Sequence, residues 1–209
     1  MYIPKLNLGT DPEETVAFMK QFSFATIVTA KNNLPIATHL PFIINATGNN
    51  ITLTSHFARA NKQWEDVETS PVLVIFSEPH AYISPQHYEK ELNVPTWNYI
   101  SVHAYGRGKI ITDPQAVFDV LHATIDSYEA AYRIQWSNLP AEYKSGMAKG
   151  IVAFSVEVTD LQSKRKLSQN KTETERHRIA DALSKSDTTT EQLISRYMVE
   201  DLRKLGRND

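Results

Sequence analysis

The chain contains no cysteine, and this absence removes several kinds of chemistry at once. Disulfides, thiolate metal sites, iron–sulfur clusters and cysteine nucleophiles are all excluded. The sequence also lacks an apolar run long enough to span a bilayer, and it reaches Pro4 and Asn7 before the core of a signal peptide could form. We therefore expect a cytoplasmic protein without a membrane anchor.

An excess of charge of either sign is missing as well. The 209 residues carry 22 Lys and Arg against 24 Asp and Glu, which gives a formal net charge of −2. This balance argues against a surface coated with nucleic acid and against a polybasic membrane contact. Any contact with DNA must come from a local patch.

The seven histidines show no two-histidine helical spacing of the kind that binds zinc, and no serine lies in a hydrolase elbow. We therefore predict no metal site, and no catalytic residue can be named. His39 differs from the others because it lies at the end of a predicted strand that could face a ligand.

Turn and cap signals divide the chain into short strands and helices. Asp11-Pro12 begins a helix that should run to about Lys20, and Lys31-Asn32-Asn33 connects two extended runs into a hairpin. Pro41, inside the second run, indicates an edge strand or a bulge. The predicted strands are residues 23–30, 34–44, 51–56, 71–76, 81–84, 95–111 and 151–161, and the predicted helices are 58–67, a long helix from 114 to about 132, and 141–147.

This order of elements predicts an α+β fold that is mainly β. Six or seven strands without regular βαβ alternation favour a closed or partly closed antiparallel barrel with helices packed outside. We expect a barrel domain over residues 1–163 and a helical arm over 164–209, with amphipathic helices at 173–185 and 190–205. The second of these mixes Arg and Lys with Glu and Asp, so packing or dimerisation suits it better than reading DNA.

Three segments have side chains suited to a ligand. Trp97, Asn98 and Tyr99 stand at the start of an alternating strand, where aromatic faces can stack on a flat ring and the amide can address its edge. Residues 54–62 bring hydroxyls, helix N–H groups and cations together, which suits a phosphate; an ordinary capped helix explains them equally well. Residues 164–171 could clamp phosphates or ring carbonyls, although composition alone favours a solvated basic linker.

Taken together, four motifs resemble those of the PaiB family, the FMN-binding negative transcriptional regulators. The four motifs are Tyr82-Ile83-Ser84-Pro85 with Tyr88, Pro95-Thr96-Trp97-Asn98-Tyr99, His56-Phe57-Ala58-Arg59-Ala60-Asn61 and Lys166-Leu167-Ser168-Gln169-Asn170. The likeness covers almost the whole chain in the right order. The family is similar in fold to the flavin split barrels of pyridoxamine-phosphate oxidases.

The resemblance implies a homodimeric antiparallel split β-barrel with FMN at the subunit interface. It implies that Thr54, Ser55, Arg59, Asn61 and Lys62 hold the phosphate, although Lys62 stands where many relatives have proline. The remaining implied cofactor-binding residues are His39, Trp97, Asn98, Lys166, Ser168, Gln169 and Asn170, the last four contributed by either subunit.

The resemblance also implies a function. We expect a repressor of genes for degradative enzymes and sporulation that acts on DNA directly or indirectly, through a partner or the redox state of the flavin. A flavin-dependent oxidoreductase is the first alternative. A haem-binding split barrel is the second, with His39 as a candidate axial ligand.

Overall fold

The computed structural model describes residues 1–48 and 50–205, which form six α-helices and eight β-strands. The helices are α1 (Pro12–Gln21), α2 (Pro114–Glu129), α3 (Tyr132–Asn138), α4 (Ala141–Lys149), α5 (Glu173–Ser184) and α6 (Thr189–Leu205). The strands are β1 (Phe24–Lys31), β2 (Leu34–Pro41), β3 (Ile43–Thr47), β4 (Asn50–Ala58), β5 (Val72–Phe76), β6 (His80–Ile83), β7 (Thr96–Ile110) and β8 (Ile151–Lys166). No helix in the described ranges is both long enough and apolar enough to cross a membrane.

The strands form one antiparallel sheet in the order β2-β1-β5-β7-β8-β4-β3, with β6 paired to β7. The β1–β2 hairpin turns at Asn32 and Asn33, both of which have positive φ, at 51° and 64°. Asparagine tolerates this left-handed conformation, which a tight two-residue hairpin turn requires. β2 lies at one end of the strand order, as the proline inside it predicts.

Four predicted elements differ from the structure. The predicted strand 34–44 is two strands, because β2 ends at Pro41, which has no N–H donor, and β3 begins at Ile43. Residues 58–67 do not form an α-helix, because β4 continues through Ala58 and the Asn61 side chain then caps a short 3-10 helix, Lys62–Asp66. The long helix predicted to reach residue 132 ends at Glu129, and α3 begins separately at Tyr132. β8 runs five residues beyond the predicted end at 161, and near this end Gly9 donates its backbone N–H to the Ser163 carbonyl and Leu8 bridges to Lys164.

The chain divides into two compact units. The larger contains Glu13–Phe76 and His103–Leu161, and the smaller contains Met1–Pro12, Ser77–Val102 and the chain from Gln162 onward. The sequence prediction of a boundary near residue 163 stays a prediction.

The core of the larger unit is built from phenylalanines of four segments. Phe57 stacks on Phe154 with ring centroids 4.8 Å apart, and Phe42 meets Phe76 and Phe154 edge-on at 6.1 Å. All four side chains are fully buried. Such aromatic contacts hold β4, β5 and β8 in register around Phe42, the residue between β2 and β3.

The smaller unit contains the two C-terminal helices. Ile179 of α5 and Ile194 and Met198 of α6 are fully buried, and the Ser195 hydroxyl donates to the Ala180 carbonyl at 2.6 Å. A buried Arg176 on α5 pairs with Asp201 on α6. The predicted helical extension is therefore packed, and a buried ion pair joins its two helices.

Candidate functional site

The twelve predicted cofactor-binding residues fall into two groups, which belong to different units. The larger unit holds His39, Thr54, Ser55, Arg59, Asn61 and Lys62, and the smaller unit holds Trp97, Asn98, Lys166, Ser168, Gln169 and Asn170. Each group is described within its own unit.

In the larger unit, a buried glutamine that the sequence analysis missed organises the predicted phosphate segment. The Gln63 amide nitrogen donates to the Ile36 carbonyl at 3.0 Å, and to the Ile27 carbonyl and the Thr29 hydroxyl at 3.3 Å. Its amide oxygen accepts from Thr38 at 2.6 Å. This single side chain therefore ties the turn after β4 to the β1–β2 hairpin.

Asn61 belongs to the same network. Its side-chain oxygen accepts the Gln63 backbone N–H at 3.1 Å, and its amide nitrogen donates to the Thr38 hydroxyl at 2.9 Å. One amide hydrogen of Asn61 is left for another acceptor. Asn61 therefore caps the short 3-10 helix, and only one of its amide hydrogens is available to a ligand.

The strand residues of this group differ in accessibility. The buried Ser55 hydroxyl donates to the Pro41 carbonyl at 2.6 Å, where it supports the corner between β2 and β3. Thr54 is half-buried on β4. His39 is exposed on β2, and its ring lies 6.3 Å from that of Phe24, which is also exposed. The Ser55 hydroxyl proton is therefore already used in a hydrogen bond within the protein, whereas the His39 ring is accessible to a ligand.

Arg59 and Lys62 are the exposed cations of the segment. The Arg59 Nε donates to the Lys149 carbonyl at 2.7 Å and one Nη donates to the Ile151 carbonyl at 2.8 Å, so the guanidinium caps the C-terminal end of α4. Lys62 is 73% exposed and lies 3.4 Å from a carboxylate oxygen of Glu65. Its ammonium also lies 5.9 Å from the centre of the Trp64 ring. Both cations therefore remain accessible to an anion.

Beside Arg59, the larger unit contains a cavity of about 480 Å³. Its walls come from α2, α4, the end of β7 and the start of β8. The lining residues are Arg59, Trp64, Ile110, Ile111, Thr112, Pro114, Val117, Phe118, Ser145, Ala148, Lys149, Ile151, Val152 and Ala153. Arg59 is the one predicted cofactor residue in this set.

In the smaller unit, Asn98 is fully buried and its amide is engaged at both ends. Its oxygen accepts from the Ser168 hydroxyl at 3.1 Å, and its nitrogen lies 3.5 Å from the Met198 sulfur. The structure therefore brings together Asn98 and Ser168, two predicted residues 70 positions apart. In this arrangement they position the start of β7 against the segment after β8.

The segment after β8 is ordered by its own hydrogen bonds rather than solvated as a linker. The Gln169 side chain accepts from the Leu167 N–H at 2.8 Å and donates to the Arg165 carbonyl at 2.6 Å. Leu167 is fully buried, and Ser168 adopts a positive φ of 59°. Asn170 is exposed. The interpretation as a solvated basic linker is therefore wrong for residues 165–169.

Two lysines of β8 lie on the same face around Tyr99. The Lys164 ammonium lies 5.1 Å from the Tyr99 ring centre and donates to the Tyr2 carbonyl at 3.2 Å, while Lys166 donates to the Thr96 hydroxyl. Burial lowers the pKa of Lys166; Tyr99 opposes this effect and Lys164 adds to it. Neither lysine forms an ion pair with a carboxylate in the described ranges. Lys164 and Tyr99 lie in segments that the sequence analysis singled out, but they are not among the twelve predicted cofactor-binding residues.

Trp97 belongs to an exposed aromatic cluster. It pairs with Tyr82 across β6 and β7, with ring centroids 6.0 Å apart, and its ring lies 5.5 Å from that of His80. The Trp97 side chain is 51% exposed. An exposed indole face can stack on a flat ligand, as its sequence position predicts.

The histidines of the larger unit are distributed rather than clustered. Burial lowers the pKa of His56 and of His103, which favours their neutral forms. Among the described residues, no group of three His, Asp or Glu side chains could hold a metal ion.

Comparison with known proteins reveals relatives over nearly the whole chain. A family model described as "Putative FMN-binding domain" matches residues 1–160. The Protease synthase and sporulation protein PAI 2 of Bacillus subtilis is 37% identical over 207 residues, which are 98% of this chain and 99% of that protein. An uncharacterised protein of Emericella nidulans is 27% identical over 174 residues, covering 64% of this chain and 68% of its own length.

Solved structures share the fold at low sequence identity. The flavocytochrome Anf3 of Azotobacter vinelandii has a TM-score of 0.61 at 18% identity, covering 78% of this chain and 72% of its own. The FAD and heme binding protein of Mycobacterium smegmatis has a TM-score of 0.60 at 13% identity, covering 77% and 73%. These similarities confirm the predicted fold class, an antiparallel split β-barrel with helices.

Proposed function

This chain belongs to the PaiB family of proteins with an FMN-binding domain, and on that premise we propose that it binds FMN and represses transcription. The proposed assembly is a homodimer that holds the flavin at its subunit interface. The name of the Bacillus subtilis relative refers to protease synthesis and sporulation, which supports degradative-enzyme and sporulation genes as the targets.

The observation that carries the cofactor proposal is the pair of exposed cations just after β4. Arg59 has N–H groups beyond the two that bind the carbonyls of Lys149 in α4 and Ile151 in β8, and Lys62 keeps its ammonium in solvent. A guanidinium held by carbonyls is already oriented, so little conformational entropy is lost when it binds a phosphate. The donor set therefore fits the phosphate of FMN.

The remaining predicted residues are of two kinds: exposed residues that can contact a ligand, and buried residues that hold the surrounding structure in place. Exposed Trp97 can offer an aromatic face, and exposed Asn170 and His39 can reach a ligand. Ser55, Asn98 and Ser168 are buried and bonded within the protein, so they position neighbouring backbone. A bound flavin would supply reversible redox chemistry at its ring.

For the regulatory role, an indirect mechanism has the stronger support. The exposed surface of α6 mixes acidic and basic residues, and Asp201 is occupied by Arg176. A helix that reads DNA needs an excess of cations towards the phosphates. We therefore propose that repression depends on a partner or on the flavin state, and that mobility-shift assays at increasing salt detect no sequence-specific complex. A specific complex that weakens steeply with salt would favour direct binding.

The cofactor proposal is tested by titrating the protein with FMN and with riboflavin, which lacks the phosphate. The R59A variant should bind FMN about 10- to 100-fold more weakly, because one charge-assisted hydrogen-bonding group is lost. Its affinity for riboflavin should not change. R107A, which removes an exposed arginine of β7, is the matched control and should bind both ligands like the wild type.

Two results would contradict the assignment of Arg59. Equal losses for FMN and riboflavin would show a structural effect through the α4 cap, and unchanged FMN affinity would exclude a phosphate contact. The R59K variant separates charge from geometry, because lysine keeps the charge but lacks the planar pair of nitrogens with which Arg59 binds the two carbonyls.

A further inference from the structure

We propose that the cavity beside α2 and α4 in the larger unit is a second binding site, for a small apolar carboxylic acid. The apolar interior is separate from the proposed flavin contacts, and the two sites share Arg59. Of the twelve residues predicted to bind the cofactor, Arg59 alone lines this cavity.

The interior of the cavity is built for an apolar body. Its apolar lining includes Val117 and Phe118 of α2, Val152 and Ala153 of β8, and Ile110 and Ala148. The volume of about 480 Å³ lies in the range that ordinary small-molecule sites occupy. Burying an apolar ring or chain on these side chains provides the favourable free energy of binding.

The charged groups of the cavity all have one sign. Arg59 and Lys149 are the ionisable residues of the lining, and no Asp or Glu belongs to it, although acids outnumber basic residues in the chain as a whole. A purely structural role for Arg59 at the end of α4 would explain its hydrogen bonds to backbone carbonyls. It would not explain an apolar cavity of this size beside the guanidinium. The arrangement therefore complements a ligand with a single negative group.

The geometry of Arg59 favours a planar carboxylate. Two of its N–H groups are held by the carbonyls of Lys149 and Ile151, at 2.7 and 2.8 Å, which fixes the plane of the guanidinium at the mouth of the cavity. Its other N–H groups are then preorganised for a planar oxygen pair, and Lys149 adds a second charge.

Few neutral polar groups line the cavity, which argues against a ligand with many polar atoms. Among the hydroxyls, Ser145 already donates to the Glu142 carbonyl at 3.0 Å, and Thr112 is the other. A polar-edged ring system would leave donors and acceptors unpaired in this interior, whereas an apolar acid places its polar atoms at the mouth.

The experiment is calorimetric titration of the full-length protein with naphthalene-2-carboxylate and with naphthalene-2-methanol, a neutral molecule with the same ring. We expect one molecule of the acid per chain, bound at least about 10-fold more tightly than the alcohol. Saturating FMN should weaken binding of the acid, because both anions use Arg59, but it should leave binding of the alcohol within about twofold. Equal binding of acid and alcohol, or loss of alcohol binding when FMN is present, would overturn the proposal.

Variants localise the site. K149Q should weaken binding of the acid about 5- to 10-fold without affecting the alcohol, and A148F should fill the cavity and abolish both. K20Q, which removes an exposed lysine of α1, is the control and should bind like the wild type. Unchanged acid binding in both K149Q and A148F would exclude this cavity. Because FMN is titrated separately in each variant, failure of the second site and failure of the proposed cofactor give different results.

Discussion

At the scale of single residues, the structure separates side chains that can meet a ligand from side chains that support them. Arg59, Lys62 and Trp97 are exposed, whereas Ser55, Asn98 and Ser168 are buried and form hydrogen bonds within the protein. A motif in a sequence does not distinguish these roles, because both require polar residues at fixed positions.

Gln63 offers the clearest test of a supporting role. Replacing it by alanine removes a buried amide that bridges β1, β2 and the turn after β4. The Q63A variant should lose about 1–3 kcal/mol of stability in urea unfolding, since Thr38 is left without its acceptor. Q86A, at an exposed glutamine, should change stability by less than about 0.5 kcal/mol. A Q63A variant as stable as Q86A would show that the network contributes nothing.

Lys166 makes a prediction about pH. Because burial lowers its pKa in the folded protein, the unfolded chain binds more protons between that lowered pKa and the ordinary value. Stability should therefore rise with pH across this interval, and below it the cost of burying the ammonium is present in full. The difference in urea midpoint between wild type and K166Q should grow in favour of the wild type as the pH rises towards 10.5, the ordinary pKa of lysine. A difference independent of pH would contradict the lowered pKa, and K90Q serves as the exposed control.

At the scale of elements, the glycines of β7 show how closely the sheet packs. A Cβ atom at Gly106 would lie 2.2 Å from the Glu157 carbonyl oxygen of β8, and one at Gly108 would lie 2.0 Å from the Val67 side chain. Both glycines lie inside the continuous strand β7, where the lack of a side chain lets neighbouring groups approach closely.

This packing predicts opposite effects for two alanine substitutions. G106A should destabilise the protein by about 1–3 kcal/mol, because the Glu157 backbone cannot move without disturbing β8. G146A, in α4 with open space around it, should stabilise it by about 0.5–1 kcal/mol through a lower entropy of the unfolded chain. Thermal unfolding of both variants measures these changes. A G106A variant as stable as the wild type would mean that β7 and β8 are less closely packed than the structure shows.

Element boundaries were predictable where the local signal is strong. Asp113 and Pro114 mark the start of α2, and the two asparagines mark the first hairpin. The end of β8 was not predictable, since the contacts near it, such as those of Gly9 with Ser163 and Leu8 with Lys164, join residues far apart in the sequence. The prediction of a helix over residues 58–67 was wrong for a similar reason. The Arg59 N–H bonds to the Gly150 carbonyl, and local helix propensity contains no information on such a distant contact.

At the scale of the whole molecule, the fold could be predicted far better than the site. Strand count, antiparallel order and four ordered motifs were enough for the split barrel, which solved structures confirm. The site depends on contacts between distant residues, such as Ser168 with Asn98 and Gln63 with Ile36, which leave no local signal. The apolar cavity likewise has no local signal. Its lining side chains come from several distant segments, and in the sequence they cannot be distinguished from ordinary core residues.

The account centres on flavin binding, and one measurement tests it most directly: the absorption spectrum of the purified protein, followed by identification of any chromophore released on denaturation. We predict the two absorption bands of a flavin, FMN in the supernatant, and about one FMN per chain after reconstitution. A single intense Soret band would assign haem instead. A colourless protein that takes up no FMN on mixing would contradict the proposed function.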